Sequence, residues 1–272
     1  MKVSCVSSYK FSTNQNNLNK SNINNPNFMH HPDFVSLKEQ GYSILASSYF
    51  RRGGVYGCAS EEFIDVINAL KLFFNPDKIQ FLKKNKSKML IAGLGESQEP
   101  FSLLTTIKSH IGEEKVSDVL DMYTVDLQSK ISKKELFKQS FYNGWEPRFA
   151  RSGFVPDDGE KYGLPSYKMF RVKDEIFNYL LSVYKDSKKS KWETRIQESI
   201  KEYPDKFFDV VSINNTIGYI KKYEEQASTV NNIFRILKSG GIFISDNRIK
   251  LYRRIFTTDN SNEIYTGIFQ KR

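Results

Sequence analysis

The sequence predicts a doubly wound α/β fold, and three observations carry that prediction. From Lys88 onward, short apolar runs alternate with stretches of helical period. The runs are followed closely by glycine, aspartate or asparagine. The run at 89–92 breaks into Gly93-Leu94-Gly95, then a polar turn, then a helix-compatible stretch after Pro100. Alternating strands and helices build a parallel sheet. A buried strand that turns through glycines into a helix opens a ligand site at the carboxyl edge of such a sheet. Glycine suits that turn because it takes unusual dihedrals and lets a ligand approach without a Cβ in the way.

The elements follow in order. Residues 1–30 are polar and crowded with asparagine, including Asn14, Asn16, Asn17 and Asn19. Such a segment buries too little apolar area to offset its ordering entropy, so a disordered arm is expected. Residues 31–85 read as an N-terminal helical segment. Within it, Phe63, Ile64, Ile67, Leu70 and Phe74 recur near helical period over 61–74. Ser60 supplies an N-cap, Glu61 and Glu62 an acidic first turn, and Asn75-Pro76 a stop. Residues 86–272 read as the main domain. Strands are expected at 89–92, 119–125, 180–184, 208–213 and 242–245, and helices at 100–111 and 224–237. Lys238-Ser-Gly-Gly241 reads as a glycine stop for the second helix. The tail reads as a hairpin, 252–257 and 264–270 around a turn at 259–262, adding one antiparallel strand.

Roughly fifty residues separate the second and third expected strands, more than a plain connection needs. Gly144, Gly153, Gly159 and Gly163 alternate there with Phe141, Tyr142, Trp145, Phe149, Phe154 and Tyr162. Glycine turns among aromatics predict an inserted β-rich subdomain at about 138–172; a long ordered lid is the alternative.

Composition narrows the function classes. The 272 residues are 39% hydrophobic, enough for a sizeable core. Two cysteines, Cys5 and Cys58, cannot form a disulfide framework. The histidines His30, His31 and His110 lie far from any cysteine pair, so no metal site is expected. No apolar run reaches the length of a membrane span, and the first residues lack a signal-peptide core. A cytoplasmic location is the expectation. The net charge of +10 favours acidic partners: nucleic acid, anionic membrane or an acidic protein. A merely lysine-rich surface explains the same number.

Four positions fall at expected strand ends: Gly93 with Gly95, Asp126, Asp186, and Asn214-Asn215. In a doubly wound sheet these ends share one crevice. An acid after the second strand can accept hydrogen bonds from both hydroxyls of a ribose. A carboxylate after the third can accept from an adenine amine.

The blocks Ala92-Gly-Leu-Gly-Glu-Ser-Gln-Glu-Pro-Phe-Ser102, Thr124-Val-Asp-Leu127, Phe208-Asp-Val-Val-Ser-Ile-Asn-Asn-Thr-Ile-Gly-Tyr-Ile220 and Leu237-Lys-Ser-Gly-Gly241 together resemble the CheR-type chemoreceptor glutamate methyltransferases. That family is a branch of the class I S-adenosylmethionine (SAM)-dependent methyltransferases. The resemblance covers about residues 45–272, and Glu99-Pro-Phe-Ser102 is its most diagnostic part. It implies SAM as cofactor, S-adenosylhomocysteine (SAH) as product, and cofactor contacts from Ser47, Arg51, Gly93, Gly95, Glu99, Asp126, Asp186 and Asn215. It implies catalytic positions at Tyr219, beside the transferred methyl, and at Arg51. Ser47-Ser-Tyr-Phe-Arg51 is the weaker match that carries Ser47 and Arg51. The implied partner is an acidic protein acceptor, including the cytoplasmic helices of chemoreceptors. Departures occur at Ser97, where the family has glycine, at Asn214, where it has arginine, and at Gly218, where it has a larger apolar residue. They leave open a methyltransferase for a small molecule or nucleic acid, and a SAM- or SAH-binding regulatory module without turnover.

Overall fold

The computed structural model describes residues 61–95, 97–143, 151–157, 169–214, 216–245, 261–265 and 267–272. The asparagine-rich arm, Ser47, Arg51 and Asn215 lie outside the described residues, as does the hairpin strand expected at 252–257.

The described residues open with helices α1 (Glu61–Lys71) and α2 (Ile79–Lys84). Strand β1 (Ser87–Ala92) leads into α3 (Gln98–Ile111), and the short α4 (Val116–Val119) into β2 (Leu120–Val125). Then come α5 (Lys133–Lys138) and three short strands, β3 (Phe141–Asn143), β4 (Phe154–Pro156) and β5 (Met169–Val172). Helix α6 (Asp174–Lys185), β6 (Ser190–Lys191), α7 (Ile196–Ser199) and β7 (Phe208–Ile213) follow. The chain closes with α8 (Tyr223–Ile236), β8 (Leu237–Ser245), β9 (Ser261–Tyr265) and β10 (Ile268–Lys271).

Seven strands form one sheet in the order β6-β2-β1-β7-β8-β10-β9. The pairings β6/β2, β2/β1, β1/β7 and β7/β8 are parallel, and β10 runs antiparallel to β8 and β9. Strand β1 is central, and side chains alternate across it. Met89 and Ile91 join Met122, Val210 and Ile244 on one face, against Leu70, Phe101, Leu104 and Leu180 from the helices. Leu90 and Ala92 join Val211, Ile213 and Phe243 on the other, against Val230 and Ile233 of α8. Burial on both faces is why the central strands read as continuous apolar runs.

Three expected elements are corrected. The run 180–184 is not a strand but the last turns of α6. Its buried residues Ile176, Phe177, Leu180, Val183 and Tyr184 follow helical spacing, and Asp174 and Glu175 stand in its acidic first turn. The third strand of the parallel set is β6, only two residues long. The glycines at 240–241 do not stop α8, which ends at Ile236; they lie within β8. A Cβ on Gly241 would meet the Asp209 carbonyl oxygen at 3.0 Å, beside the register shift between β7 and β8. The terminal hairpin is β9 and β10, turning at Gly267 with φ +72°, later in the chain than expected.

Strands β3, β5 and β4 form a separate antiparallel sheet of three, in that order, within the stretch where the sequence predicts an insertion. It is seated on the main body. A Cβ on Gly153 would lie 2.7 Å from Cβ of Thr105, so β4 begins in direct contact with the backbone of α3. Arg171 of β5 pairs with both Asp157 and Asp174, joining the small sheet to the start of α6. Among the described residues no helix is long and apolar enough to cross a membrane.

Candidate functional site

The site grows from the carboxyl end of β1. The chain leaves the sheet through Gly93 (φ +78°) and Gly95 (φ +53°), and Ser97 (φ +68°) then swings it into α3. The two glycines serve different ends. A Cβ on Gly93 would lie 1.8 Å from Thr216 Oγ1, so the close approach there is protein against protein. Around Gly95 a Cβ would meet no atom of the described residues within 4 Å, so among them the backbone is unobstructed.

Helix α3 is well started for this geometry. Pro100 stands in its first turn, where no backbone donor is needed. Glu99 stands beside it, 3% exposed, where the helix dipole favours an anion. Its carboxylate accepts a hydrogen bond from the amide of Asn214 at 3.0 Å and another from the hydroxyl of Ser212. Both partners come from the end of β7. The glutamate thus ties the glycine turn to the neighbouring strand end.

Asp126 follows β2, as the sequence predicts. Its carboxylate accepts the Gln128 backbone NH at 2.8 Å, which forms an Asx turn, and the Gly95 NH at 3.3 Å. Burial pushes its pKa above the usual value, and the backbone donors oppose that shift in part. Gln128 closes the arrangement by donating its side-chain amide to the Gly95 carbonyl. The chain after β6 also reaches across: the NH of Thr194 donates to the Asp126 carbonyl at 3.0 Å and that of Glu193 to the Gln128 carbonyl at 3.1 Å.

Asp186 stands elsewhere. It is the C-cap of α6 and precedes β6, holding the Lys188 NH at 2.8 Å. The expected position after the third strand rested on the misplaced strand at 180–184. The residues that do follow β6 are Trp192, Glu193 and Thr194. Tyr219 ends a 3-10 turn, Ile217–Tyr219, just beyond β7, and is 67% exposed. The structure therefore brings Gly95 to Asp126, and Glu99 to Asn214. It separates Asp186 from the strand-end position expected for it.

Sequence reasoning missed Ser212, Gln128 and Tyr184. Ser212 had a signal, being a hydroxyl set among Val210, Val211 and Ile213. Tyr184 shares a hydrogen bond with Ser97 at 2.7 Å, and both are buried. Nothing in the sequence marks that pair, because they meet only through the packing of α6 under the turn.

A parallel sheet that ends in an antiparallel hairpin, with a glycine turn after β1 and an acid after β2, is a known architecture. Residues 175–245 match a family model described as a methyltransferase domain. The match spans only part of the chain, and the seven-stranded mixed sheet around it is a Rossmann-like α/β fold. The methyltransferase match supports SAM as the cofactor. The donor set fits: an open glycine turn at a helix N-terminus, and an ionisable carboxylate at the next strand end.

Among solved structures, the chain is similar to a DszA carbon methyltransferase at 17% identity, TM-score 0.29, covering 62% of this chain and 31% of that one. It is similar to a SAM-dependent methyltransferase of Methanosarcina mazei at 13% identity, TM-score 0.29, covering 69% and 73%. A third is a SAM-dependent methyltransferase of Methanococcus maripaludis, described as putative in its own structure, at 11% identity, TM-score 0.27, covering 68% and 62%. Similarities at this level identify no activity. The chain matches under half the length of the first three such structures. No curated protein matches the sequence.

Proposed function

We propose that this chain transfers a methyl group from SAM to a side-chain carboxylate of an acidic protein, as in the glutamate methylation of chemoreceptors. The observation that carries the reading is the buried Glu99. It belongs to the block most diagnostic of the resemblance, and it is locked to Ser212 and Asn214 at the adjoining strand end. The departure at Asn214 is thereby accounted for, since its amide serves Glu99.

The cofactor supplies an electrophilic methyl on a sulfonium. With SAM bound, an acceptor carboxylate oxygen would take that methyl, and the electron pair of the broken carbon–sulfur bond would stay on sulfur. The products would be a methyl ester and a neutral thioether, with no proton released. No general base is needed, because a carboxylate is already ionised near neutral pH. What remains for the protein is alignment and removal of water from an anion that meets a cation. In this reading Asp126 accepts from the ribose hydroxyls and the turn at Gly95 lets the cofactor approach. Glu99 holds that turn in place. Tyr219 and Arg51 orient the acceptor carboxylate, and Ser47 and Asn215 complete the cofactor pocket. The net charge of +10 suits an acidic acceptor.

The test is labelled-methyl transfer to purified chemoreceptor cytoplasmic domains. The expected product is a label released as methanol by mild alkali, as a methyl ester requires. Base-stable label, or label only on small molecules or nucleic acid, overturns the carboxylate acceptor. SAM binding without any transfer leaves a cofactor-binding module.

A further inference from the structure

Ser97 is the joint between the glycine turn and α3. Its NH closes the turn onto the Leu94 carbonyl at 2.9 Å, and its carbonyl accepts the Phe101 NH at 3.3 Å as the helix begins. It holds a left-handed conformation, φ +68° and ψ 17°, that glycine takes freely and serine seldom does. A serine before a helix normally turns its hydroxyl onto the first-turn NH groups. Here the hydroxyl makes no such cap. It is fully buried and shares a hydrogen bond with Tyr184 Oη at 2.7 Å.

Tyr184 is itself held on two sides. The Trp192 ring meets it edge-on, centroids 5.0 Å apart and planes at 88°. The Trp192 indole NH donates to the Tyr184 carbonyl at 3.3 Å. Trp192 is the first residue after β6. One phenol therefore connects the end of α6, the chain after β6 and the turn after β1. Burial pushes the phenol far above its ordinary pKa, so it stays neutral wherever the protein is folded.

We infer that Tyr184 is a positioning residue for the cofactor: through Ser97 it fixes the direction in which the glycine turn enters α3. Two groups placed on either side of Ser97 depend on that direction. The Gly95 NH is aimed at Asp126, and Glu99 is aimed at Ser212 and Asn214. A glycine at 97 leaves the turn free to wander. The serine–tyrosine bond removes that freedom, so binding a ligand need not impose the order. The departure from glycine at 97 is then a substitution with its own partner rather than a sign of a failed site.

The inference rests on the cofactor reading above, and calorimetry with SAH on the full chain separates the two. Four proteins are compared: wild type, Tyr184→Phe, Ser97→Gly and the double variant. Phenylalanine keeps the ring and its contact with Trp192. Each single variant is expected to bind SAH roughly five- to tenfold more weakly, about the worth of one buried hydrogen bond. The double variant should be no weaker than the worse single, because both changes break one link. In turnover, KM for SAM should rise while kcat at saturating SAM holds. A tyrosine with only a packing role lowers the melting temperature and leaves the SAH Kd unmoved; that result overturns the inference. Should Tyr184→Phe fail to fold, Ser97→Gly alone decides, and wild-type affinity there overturns it. A wild-type chain that binds neither SAM nor SAH overturns the cofactor reading, and the inference falls with it.

Discussion

The Glu99 carboxylate and the Asn214 amide stand 115 positions apart in the chain and meet at 3.0 Å, both buried. One opens the helix after the central strand, the other ends the strand beside it. Their contact sets the spacing of two loops that form the lip of the crevice. It also makes the site sensitive to charge at 214.

Asn214→Asp is predicted to place a second buried carboxylate against the first. Two such groups cannot both ionise without a large penalty. The pair would hold a proton more tightly when folded than when unfolded. The added instability should therefore be smallest in acid and grow as pH rises above the carboxylate range. Melting temperature against pH for variant and wild type checks this. A difference independent of pH refutes the charge argument.

Asp126 yields a prediction in two parts. Asp126→Ala should weaken SAM binding by about 1–3 kcal/mol, the range for hydrogen bonds to a charged group. Unchanged affinity with an intact fold would remove the ribose assignment. The second part concerns stability, because burial raises the pKa of this carboxyl group. A raised value in the folded chain means a cost absent below the ordinary carboxylate range, setting in as pH climbs through the folded value. Asp126→Asn has no charge and escapes it. Its melting temperature relative to wild type should therefore rise with pH from about pH 4 upward. A flat difference would contradict the burial argument.

Gly93 and Gly95 should respond differently to alanine. Gly95→Ala meets none of the described residues, so its cost is the left-handed backbone, about 1–2 kcal/mol. Gly93→Ala adds a clash with Thr216 Oγ1 and should be clearly worse. Adding Thr216→Ala removes the clashing atom and should recover part of the loss. Denaturant unfolding of the four proteins tests the ranking, and equal costs at 93 and 95 would overturn it.

Tyr219 is 67% exposed, so its ring is not a core element. Tyr219→Phe should leave the melting temperature and SAH affinity near wild type. If its hydroxyl aligns the acceptor, labelled-methyl transfer at saturating SAM should fall. Wild-type turnover would take the hydroxyl out of the mechanism.

Much of this fold is legible in the sequence because its central strands are buried on both faces. Runs such as 89–92 and 208–213 have few other interpretations. The strand expected at 180–184 failed for the complementary reason. Five apolar-rich residues fit one strand or one and a half turns of helix equally well, and only the residues before them, from Asp174 on, decide. The true third strand has two residues, too short to leave a pattern. At the site, the places of Gly95 and Asp126 were legible because each lies close behind a strand, and that of Glu99 because it heads the helix after the glycine turn. Ser97 with Tyr184, and Glu99 with Asn214, were not, since contacts across the sheet have no fixed spacing along the chain.

The pairing of Pro156 with Phe170 holds the two sides of one connection a single strand spacing apart. Gly153 anchors one side against Thr105, and Arg171 anchors the other to Asp157 and Asp174. Whatever sequence joins them begins and ends at fixed posts. The small sheet is therefore fastened at both strands, by Gly153 on one side and Arg171 on the other, so α3 and the start of α6 share one brace.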